Sequence, residues 1–507
     1  MKKLFKKLFN RTTITIVTVV LEILFLAAVF HWFGSKIVWI ESVLHILSVF
    51  IVLGIVNNSK HLSSDVLWVI LIVFSPVFGT VLYLFLGADL FTSKTFRNLS
   101  AETAKASSYF VQDEDVLKEF DDDAPNMRGQ IRYISESTGF PFYRNEGFDY
   151  YGLGDTGYPV MLEELKKAKR FIFMEYFIIE AGEMWDGILK ILEEKVKEGV
   201  EVRVMYDDLG SFFTLDSHYA EELEAKGIKC TTFNKINPIL NIIVNHRDHR
   251  KILVIDGEVA FSGGVNLADE YINVKEKYGH WKDNVIRVKG PAVWSYTALF
   301  LTNWNALRHE DDDYTVYKSC PEKGEADGYI APYADTPLDN ELVGQNVYMN
   351  ILNQANDYVY IATPYLIIDT EFINALILCA KRGVDVRIIT PGIPDKKIVW
   401  GITRSYYRQL MEGGVKIYEY TPGFIHSKVF VADDIIATIG TINLDYRSLY
   451  LHFENGTFLY DSKAVLEVKK DLEETIAVST EVTKELTRKN LIKAFFIGLI
   501  KPFSPLM

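Results

Sequence analysis

Three long apolar runs open the chain, at residues 12–33, 37–56 and 66–86. A helix needs about 20 residues to cross the hydrocarbon core of a bilayer, so each run is long enough to span one. A cleaved signal peptide is the alternative for the first run. That run is too long, has no small-residue cleavage site and is followed almost directly by a second run. The pattern therefore predicts a transmembrane anchor over residues 1–88.

The third apolar run leaves the topology of this anchor open. Pro76 and Gly79 interrupt its middle, which allows a kinked or re-entrant segment in place of a full crossing. The five basic residues before residue 12 are expected to stay cytoplasmic. Three crossings would then place the rest of the chain outside the cell, whereas two crossings and a re-entrant third run would keep it inside.

Beyond an acidic, turn-rich stretch at residues 112–126, the pattern changes to short β-branched and aromatic segments that alternate with helical stretches. The helical stretches end in glycine, as at Gly199 and Gly383. This order predicts an α/β fold with a sheet between helices.

The same body repeats itself once. HRKILVIDGEVAFSGGVNL, which begins at His249, matches HSKVFVADDIIATIGTINL, which begins at His426, at a constant offset of 177 residues. A unit that occurs twice at this length is a duplicated domain and not a solenoid. We therefore predict a linker at residues 89–135 and two copies of one domain, at residues 136–325 and 326–507.

Charge and cysteine content restrict the function. The chain has 54 Lys and Arg against 67 Asp and Glu, a net charge of -13, of which residues 1–88 carry +4 and the other 419 residues carry -17. An acidic body argues against a broad nucleic-acid surface. Three distant cysteines give no disulfide framework and no structural zinc spacing, and their scarcity favours a cytoplasmic location for the body.

Each copy of the repeat contains the pattern H-x-K-x(4)-D. One match would be a modest signal, but two at equivalent positions are a strong one. A His and a Lys two residues apart on a strand point to the same face, so each half presents an imidazole and an ammonium together. The Asp has the opposite parity and stands at a predicted hairpin turn, so we interpret it as mainly structural. The two sets are His249, Lys251 and Asp256, and His426, Lys428 and Asp433.

A turn of small residues and an Asn follow each motif, with the Asn 17 residues after the His. Small residues let backbone N–H groups approach an anion, and the Asn amide is a further donor. We interpret Gly264, Asn266, Thr441 and Asn443 as candidate phosphate-binding residues.

With these motifs, the chain resembles the phospholipase D superfamily and, within it, the bacterial membrane-bound cardiolipin synthases. The resemblance covers nearly the whole chain and includes HRDHRKILVIDG, HWKDNVIRVKGPAV, GFIHSKVFVADD and IGTINLDYRSLYLHFEN. It implies two α-β-α sandwich domains related by a pseudo-twofold axis. Two positions depart from the family pattern: Asp248 and His452 each stand where Asn is usual.

The resemblance also implies a mechanism. One motif imidazole attacks phosphorus to give a phosphohistidine, and the other protonates the departing alcohol. Asp283 and Glu454, which follow the two motif histidines by 34 and 28 residues, are the carboxylates expected to orient the rings. We expect His249 to be the nucleophile and His426 the acid, with the reverse assignment as the alternative.

The expected reaction converts two phosphatidylglycerol molecules to cardiolipin and glycerol at a bacterial cell membrane, with the body at the cytoplasmic face. No cofactor and no metal are expected, because the motif lysines and the two asparagines would do the work often given to a metal. His246 and His249, three apart on an extended segment, would point to opposite faces, so we interpret this pair as incidental. No nucleic-acid partner is expected, and the oligomeric state stays open. The alternatives are a phospholipase D-type hydrolase and a catalytically silent membrane scaffold. The basic, apolar C-terminal segment is expected either to lie at the membrane interface or to form a plain packing helix.

Overall fold

The computed structural model describes residues 38–58, 62–86, 94–235, 246–319, 324–339, 341–483 and 491–506. The first of the three predicted apolar runs, 12–33, lies outside these residues. The other two form the helices α1 (Val38–Asn57), α2 (Leu62–Phe74) and α3 (Pro76–Leu86). No helix within the described ranges has both the length and the apolar character required to cross a membrane. The transmembrane anchor stays a prediction.

The third apolar run is a helical hairpin. Its two helices, α2 and α3, are separated at Ser75 and pack on each other, with the rings of Trp68 and Tyr83 in edge contact at 5.5 Å between centroids. A Cβ on Gly79 would lie 2.4 Å from the carbonyl oxygen of Leu71, so only glycine lets the two helices approach this closely. The interruption at Pro76 and Gly79 therefore reverses the chain direction and does not merely kink one helix.

The first half of the body, after the predicted anchor, consists in chain order of α4 (Lys94–Ala106), α5 (Glu114–Asp123), α6 (Arg128–Arg132), β1 (Tyr143–Arg144), β2 (Phe148–Tyr151), α7 (Gly154–Lys167), β3 (Phe171–Tyr176), α8 (Glu183–Lys197), β4 (Glu201–Asp207), α9 (Tyr219–Ala225), β5 (Lys229–Phe233), β6 (Lys251–Ile255), β7 (Val259–Gly263), β8 (His280–Lys282), β9 (Val285–Lys289) and α10 (Val293–Arg308). Seven of the strands form a sheet in the order β2-β9-β7-β6-β3-β4-β5, in which β3, β4 and β5 are parallel.

The elements of the second half are β10 (Tyr329–Asp335), α11 (Val343–Gln354), β11 (Tyr358–Ala362), α12 (Thr370–Lys381), β12 (Asp385–Pro391), α13 (Lys397–Glu412), β13 (Lys416–Tyr420), β14 (Gly423–Ile425), β15 (Val429–Ala432), β16 (Ile436–Gly440), α14 (Tyr446–Tyr450), β17 (Glu454–Tyr460), α15 (Lys463–Ala477) and β18 (Thr480–Glu481), followed by α16 (Leu491–Ile500). They repeat the order of the first half on a nine-stranded sheet, β1-β10-β17-β16-β15-β11-β12-β13-β18, in which β11, β12 and β13 are parallel. The duplicated α/β body is thus confirmed.

Successive side chains along the fully buried central strands face different cores, and this arranges the body in five layers. Phe171 and Phe173 of β3 face a core shared with the second half, whereas Ile172 and Met174 face the outer helices of their own half. In the second half, Tyr358 and Tyr360 of β11 face the shared core. The helices α10 and α15 contribute to this core, so they lie between the two sheets. The two predicted sandwiches therefore share their central layer.

Contacts in the structure cross two of the predicted domain boundaries, which stay predictions. The segment 89–135, predicted as a linker, includes helices that belong to the packed body: Phe120 and Ile131 are buried in the core of the second half. The predicted first domain starts at residue 136, yet β1 pairs with β10 of the second sheet. The repeat pattern does not show such contacts, because a polar, turn-rich sequence gives no sign that a few of its apolar side chains pack on a distant sheet.

The C-terminal helix α16 packs against α13, and the residues that follow it pack against α2 of the hairpin. A Cβ on Gly401 of α13 would lie 2.8 Å from Ile497, and the ammonium of Lys501 lies 3.8 Å from the centre of the Tyr406 ring. On the other side of α16, Phe496 and Leu499 are exposed. The helical hairpin and the C-terminal segment thus contact each other near α13.

Leu301 in the central helix α10 is fully buried, whereas Leu378 on the outer helix α12 is 55% exposed. We expect Leu301→Ala to lower the free energy of unfolding by about 2–5 kcal/mol, because it leaves a cavity between the two sheets. The matched control, Leu378→Ala, should change it by less than about 0.5 kcal/mol. Thermal unfolding of the detergent-solubilised protein measures the difference, and equal melting temperatures of the two variants would contradict the layered core.

Candidate active site

The two halves enclose a cavity of about 520 Å³ that both motif histidines line. Its other lining residues include the two predicted asparagines, Asn266 and Asn443, and the aromatic side chains Phe177, Trp281 and Phe424. The motif patterns contain no signal for the aromatic residues. His249 and His426 are themselves almost fully buried, at 6% and 7% exposure. The two motifs therefore meet in one site, where both imidazoles are largely shielded from bulk water.

Each histidine is oriented by a carboxylate from the other half of the chain. His249 Nδ1 lies 2.9 Å from Glu454 Oε2, and His426 Nδ1 lies 2.6 Å from Asp283 Oδ2. In the sequence, Asp283 follows His249 and Glu454 follows His426. In the structure, the pairs are exchanged, because each carboxylate contacts the histidine of the other half. With Nδ1 held by a carboxylate, the lone pair on Nε2 is left for chemistry.

Backbone hydrogen bonds between the halves produce this crossing. The N–H of His249 donates to the carbonyl of Phe453 at 2.9 Å, which brings Glu454 beside His249. The N–H of His426 donates to the carbonyl of Lys282 at 2.7 Å, next to Asp283. This second contact extends the parallel pair of β14 with β8. The segment before Glu454 thus pairs with the segment that ends at His249, and the segment before Asp283 pairs with the segment that ends at His426.

The motif lysines lie beside their histidines, as strand periodicity predicts. Lys251 Nζ donates to the carbonyl of His249 at 2.6 Å, and Lys428 Nζ donates to the carbonyl of His426. Both ammonium groups are buried. Two buried amines therefore lie next to the histidines that line the cavity, and in their charged form they would stabilise an anionic phosphate.

The motif aspartates lie away from the cavity and organise the backbone. Asp256 accepts hydrogen bonds from the N–H groups of residues 169, 170 and 171 at 2.7–2.9 Å, and Asp433 does the same for residues 356, 357 and 358 at 2.7–3.0 Å. Both have positive φ, 56° and 54°, in the turns where the sequence placed them. They fix the start of β3 and β11, the neighbours of the motif strands.

Two of the predicted phosphate-binding residues have another role. The N–H of Gly264 donates to Asn284 and that of Thr441 to Asn455, so neither is left for an anion. A Cβ on Gly264 would lie 2.0 Å from Asp283 Oδ1, and the Thr441 hydroxyl donates to Glu454. In both halves, this turn position contacts the carboxylate that lies beside a motif histidine.

The two asparagines differ from each other. Asn266 donates to the hydroxyl of Tyr271 at 2.7 Å and accepts from the N–H of Ile178. Asn443 has a buried side-chain oxygen without a hydrogen-bond partner in the described part of the chain. Asn443 is thus the one whose amide is less fixed by the protein, although both line the cavity.

Burial sets the protonation of the site. It lowers the pKa of His249 to about 3 and that of His426 to about 4, so both imidazoles are neutral near pH 7 in the empty site. Burial also lowers the pKa of Lys251 to about 7 and that of Lys428 to about 8. An entering phosphodiester anion would raise all four pKa values, because it favours positive charge beside it.

The two departures from the family pattern both lie close to His249. Asp248 is buried beside Glu175, and burial raises the pKa of both carboxyl groups. His452 lines the cavity with its ring centroid 5.7 Å from that of His249. The predicted incidental residue His246 instead contacts the carbonyl of Leu451 and the ring of Phe96.

Comparison with known proteins places this geometry in a family. The family model described as cardiolipin synthase, PLD-like domain, matches residues 161–298 and 348–476, one segment in each half. The chain belongs to this family of phospholipase D-like cardiolipin synthases. A second model, described as phospholipase D-nuclease N-terminal, matches residues 43–87 of the anchor.

Three relatives match this chain over most of their length, and two of them are named cardiolipin synthase. Cardiolipin synthase 2 of Bacillus anthracis is 33% identical over 89% of this chain and 88% of its own. Cardiolipin synthase of Alkalihalophilus pseudofirmus is 34% identical over 92% of this chain and 93% of its own. An uncharacterized protein of Streptococcus mutans is 45% identical over 90% of this chain and 99% of its own.

The fold is also similar to that of a solved structure, phosphatidylserine synthase of Haemophilus influenzae. The match has a TM-score of 0.56 at 16% identity and covers 75% of this chain and 100% of that protein. At this identity the likeness supports the fold alone, and it agrees with the duplicated α/β body.

We expect kcat/KM to fall as the pH rises above about 7 to 8, because Lys251 and Lys428 lose their protons in the free enzyme and no longer stabilise phosphate. Lys251→Arg and Lys428→Arg replace the ammonium with a guanidinium, which stays charged at high pH. Each should therefore move the alkaline limb to higher pH, and each should lower the rate because the larger group differs in shape. The measurement is a pH–rate profile. If the alkaline limb of both variants lies at the same pH as that of the unmodified protein, the lysines are not its cause.

Proposed function

We propose that the protein is a cardiolipin synthase that transfers a phosphatidyl group from one phosphatidylglycerol molecule to another, giving cardiolipin and glycerol. The observation that carries this proposal is the pairing of two imidazoles, each with its own carboxylate, in one cavity. A two-step displacement needs a nucleophile on one side of phosphorus and a proton donor on the other. The membership of the chain in the cardiolipin synthase family supports the same reaction.

In the first step, Nε2 of His249 attacks the phosphorus of the donor lipid. The bond between phosphorus and the headgroup glycerol oxygen breaks as a phosphorus–nitrogen bond forms. His426, protonated once the anionic phosphodiester lies beside it, gives its proton to the departing glycerol. Glu454 stabilises the charge that His249 gains, and Asp283 holds His426 in the tautomer that this transfer requires.

In the second step, the free hydroxyl of another phosphatidylglycerol replaces glycerol. His426 takes the proton of this hydroxyl while its oxygen attacks phosphorus, and the phosphorus–nitrogen bond breaks. One phosphodiester replaces another, so the exchange needs no nucleotide. The outcome depends on excluding water, which is consistent with the burial of both imidazoles.

The buried lysines supply the positive charge for both steps. Lys251 and Lys428 would stabilise the equatorial oxygens of phosphorus, and Asn266 and Asn443 would donate to them as well. Since each Nζ also donates to the carbonyl of the neighbouring histidine, the charge is held in place before substrate arrives.

A membrane location of the body suits this substrate. The cavity lies next to α13, since Lys396 and Val399 line it, and α13 carries the C-terminal helix α16. Exposed apolar side chains lie on α16 and on the hairpin, among them Phe496, Leu499 and Phe74. We infer that α1, the hairpin and α16 hold the cavity at the cytoplasmic face of the membrane. The re-entrant form of the third run supports this side.

The decisive experiment is incubation of membranes that contain the protein with phosphatidylglycerol labelled in its acyl chains and headgroup. We expect labelled cardiolipin and free glycerol in equal amounts, because each transfer releases one glycerol. His249→Asn and His426→Asn should each lower the rate by at least about a thousandfold, as expected for loss of the nucleophile or of the acid. Phosphatidic acid as the main product would identify a hydrolase, and no product would favour a scaffold.

The assignment of His249 as nucleophile is tested by trapping the phosphoenzyme. Rapid denaturation at alkaline pH with a phosphatidylglycerol labelled at phosphorus should leave acid-labile label on the peptide that contains His249. His426→Asn should still form this adduct, although slowly, because the step that it impairs is protonation of the leaving alcohol. Label on the His426 peptide alone would reverse the two roles.

A further inference from the structure

A third imidazole lies beside the His249–Glu454 pair, and the mechanism does not use it. Nδ1 of His452 lies 3.7 Å from Glu454 Oε1, and the side chain is only 10% exposed. Both of its ring nitrogens are buried without a hydrogen-bond partner in the described ranges. An imidazole that lines the cavity with both nitrogens buried and without a hydrogen-bond partner points to a ligand, because leaving them so costs free energy.

The three side chains have the arrangement of a metal site. One ligand atom each from His249, His452 and Glu454 lies within 4.8 Å of the others, and all three residues are buried. Metal–ligand bonds of about 2.0–2.2 Å require ligand atoms roughly 3.3 Å apart, so small side-chain rotations would close the set. Two imidazoles and one carboxylate suit Zn²⁺ and similar transition metals, whereas Mg²⁺ prefers oxygen ligands only.

The second histidine pair lacks this third ligand. Counting back two residues from each catalytic carboxylate gives His452 before Glu454 but Trp281 before Asp283. The Trp281 ring lies 5.8 Å from that of His426, so it takes the equivalent place in the pseudo-twofold site. An indole is not a metal ligand. The asymmetry therefore restricts a metal to the His249 side of the cavity.

We propose that His249, His452 and Glu454 form an inhibitory binding site for a divalent transition metal of the Zn²⁺ class. A bound ion removes either the lone pair with which His249 attacks phosphorus or the carboxylate that orients its ring, so metal and substrate exclude each other. The binding stands on the geometry alone, whereas the inhibition rests on the proposed function.

Direct binding tests the site without reference to activity. The full-length protein in detergent, freed of metal by a chelator, is dialysed against Zn²⁺ and, in parallel, against Mg²⁺. We expect one tightly bound Zn²⁺ per chain, no comparable Mg²⁺, and an affinity for Zn²⁺ at least about tenfold weaker in His452→Asn. The matched control is His218→Asn, which removes an exposed histidine 2.9 Å from Glu221 and should bind as the unmodified protein does. Equal affinity in His452→Asn and in the unmodified protein would overturn the proposal.

Inhibition is measured on the same proteins as cardiolipin formation, each relative to its own rate in chelator. Zn²⁺ should inhibit the unmodified protein and His218→Asn reversibly, and the half-inhibiting concentration should rise at least about tenfold in His452→Asn. An unchanged sensitivity of His452→Asn would overturn the inhibitory role. If no preparation forms cardiolipin, the proposed function fails while the binding result still decides the site. His452→Gln, with a similar amide, replaces His452→Asn if the latter does not fold.

Discussion

The site depends on the exchange of backbone hydrogen bonds between the two halves. His249 N–H bonds to the carbonyl of Phe453, and His426 N–H bonds to that of Lys282. Each bond fixes the residue next to a catalytic carboxylate, so the imidazole of one half always meets the carboxylate of the other. Both bonds are buried, where a lost partner is expensive, and this makes the relative position of the halves a condition of catalysis.

The shared central layer provides the rigidity that this exchange needs. The inner faces of both sheets pack on α10 and α15, so a shift of one sheet against the other would disrupt a close-packed core. The motif aspartates act in the same direction, because each ties three consecutive N–H groups at the start of a neighbouring strand. The core and the turns thus hold one arrangement of the two histidines and the two carboxylates of the candidate site.

Much of this could be predicted from sequence, and the exceptions have physical reasons. The side-chain period of two on a strand places His249 beside Lys251 and sends Asp256 elsewhere. The crossing could not be predicted, because the paired residues lie 205 and 143 positions apart and no local pattern records a contact at that range. The contact of Gly264 with Asp283 could not be predicted for a related reason: a small residue fits an anion or a neighbouring carboxylate equally well, and only the fold shows that Asp283 lies there.

The exchanged carboxylates also bear on how such a chain can arise. A polypeptide with one half alone would carry a histidine and a carboxylate that do not meet, and two copies related by a twofold axis would supply each other's missing group. Fusion of two copies keeps that arrangement and frees the halves to diverge, as Trp281 and His452 have done at equivalent positions. The duplication therefore turns a symmetric site, in which both histidines are equivalent, into one that can give them separate tasks.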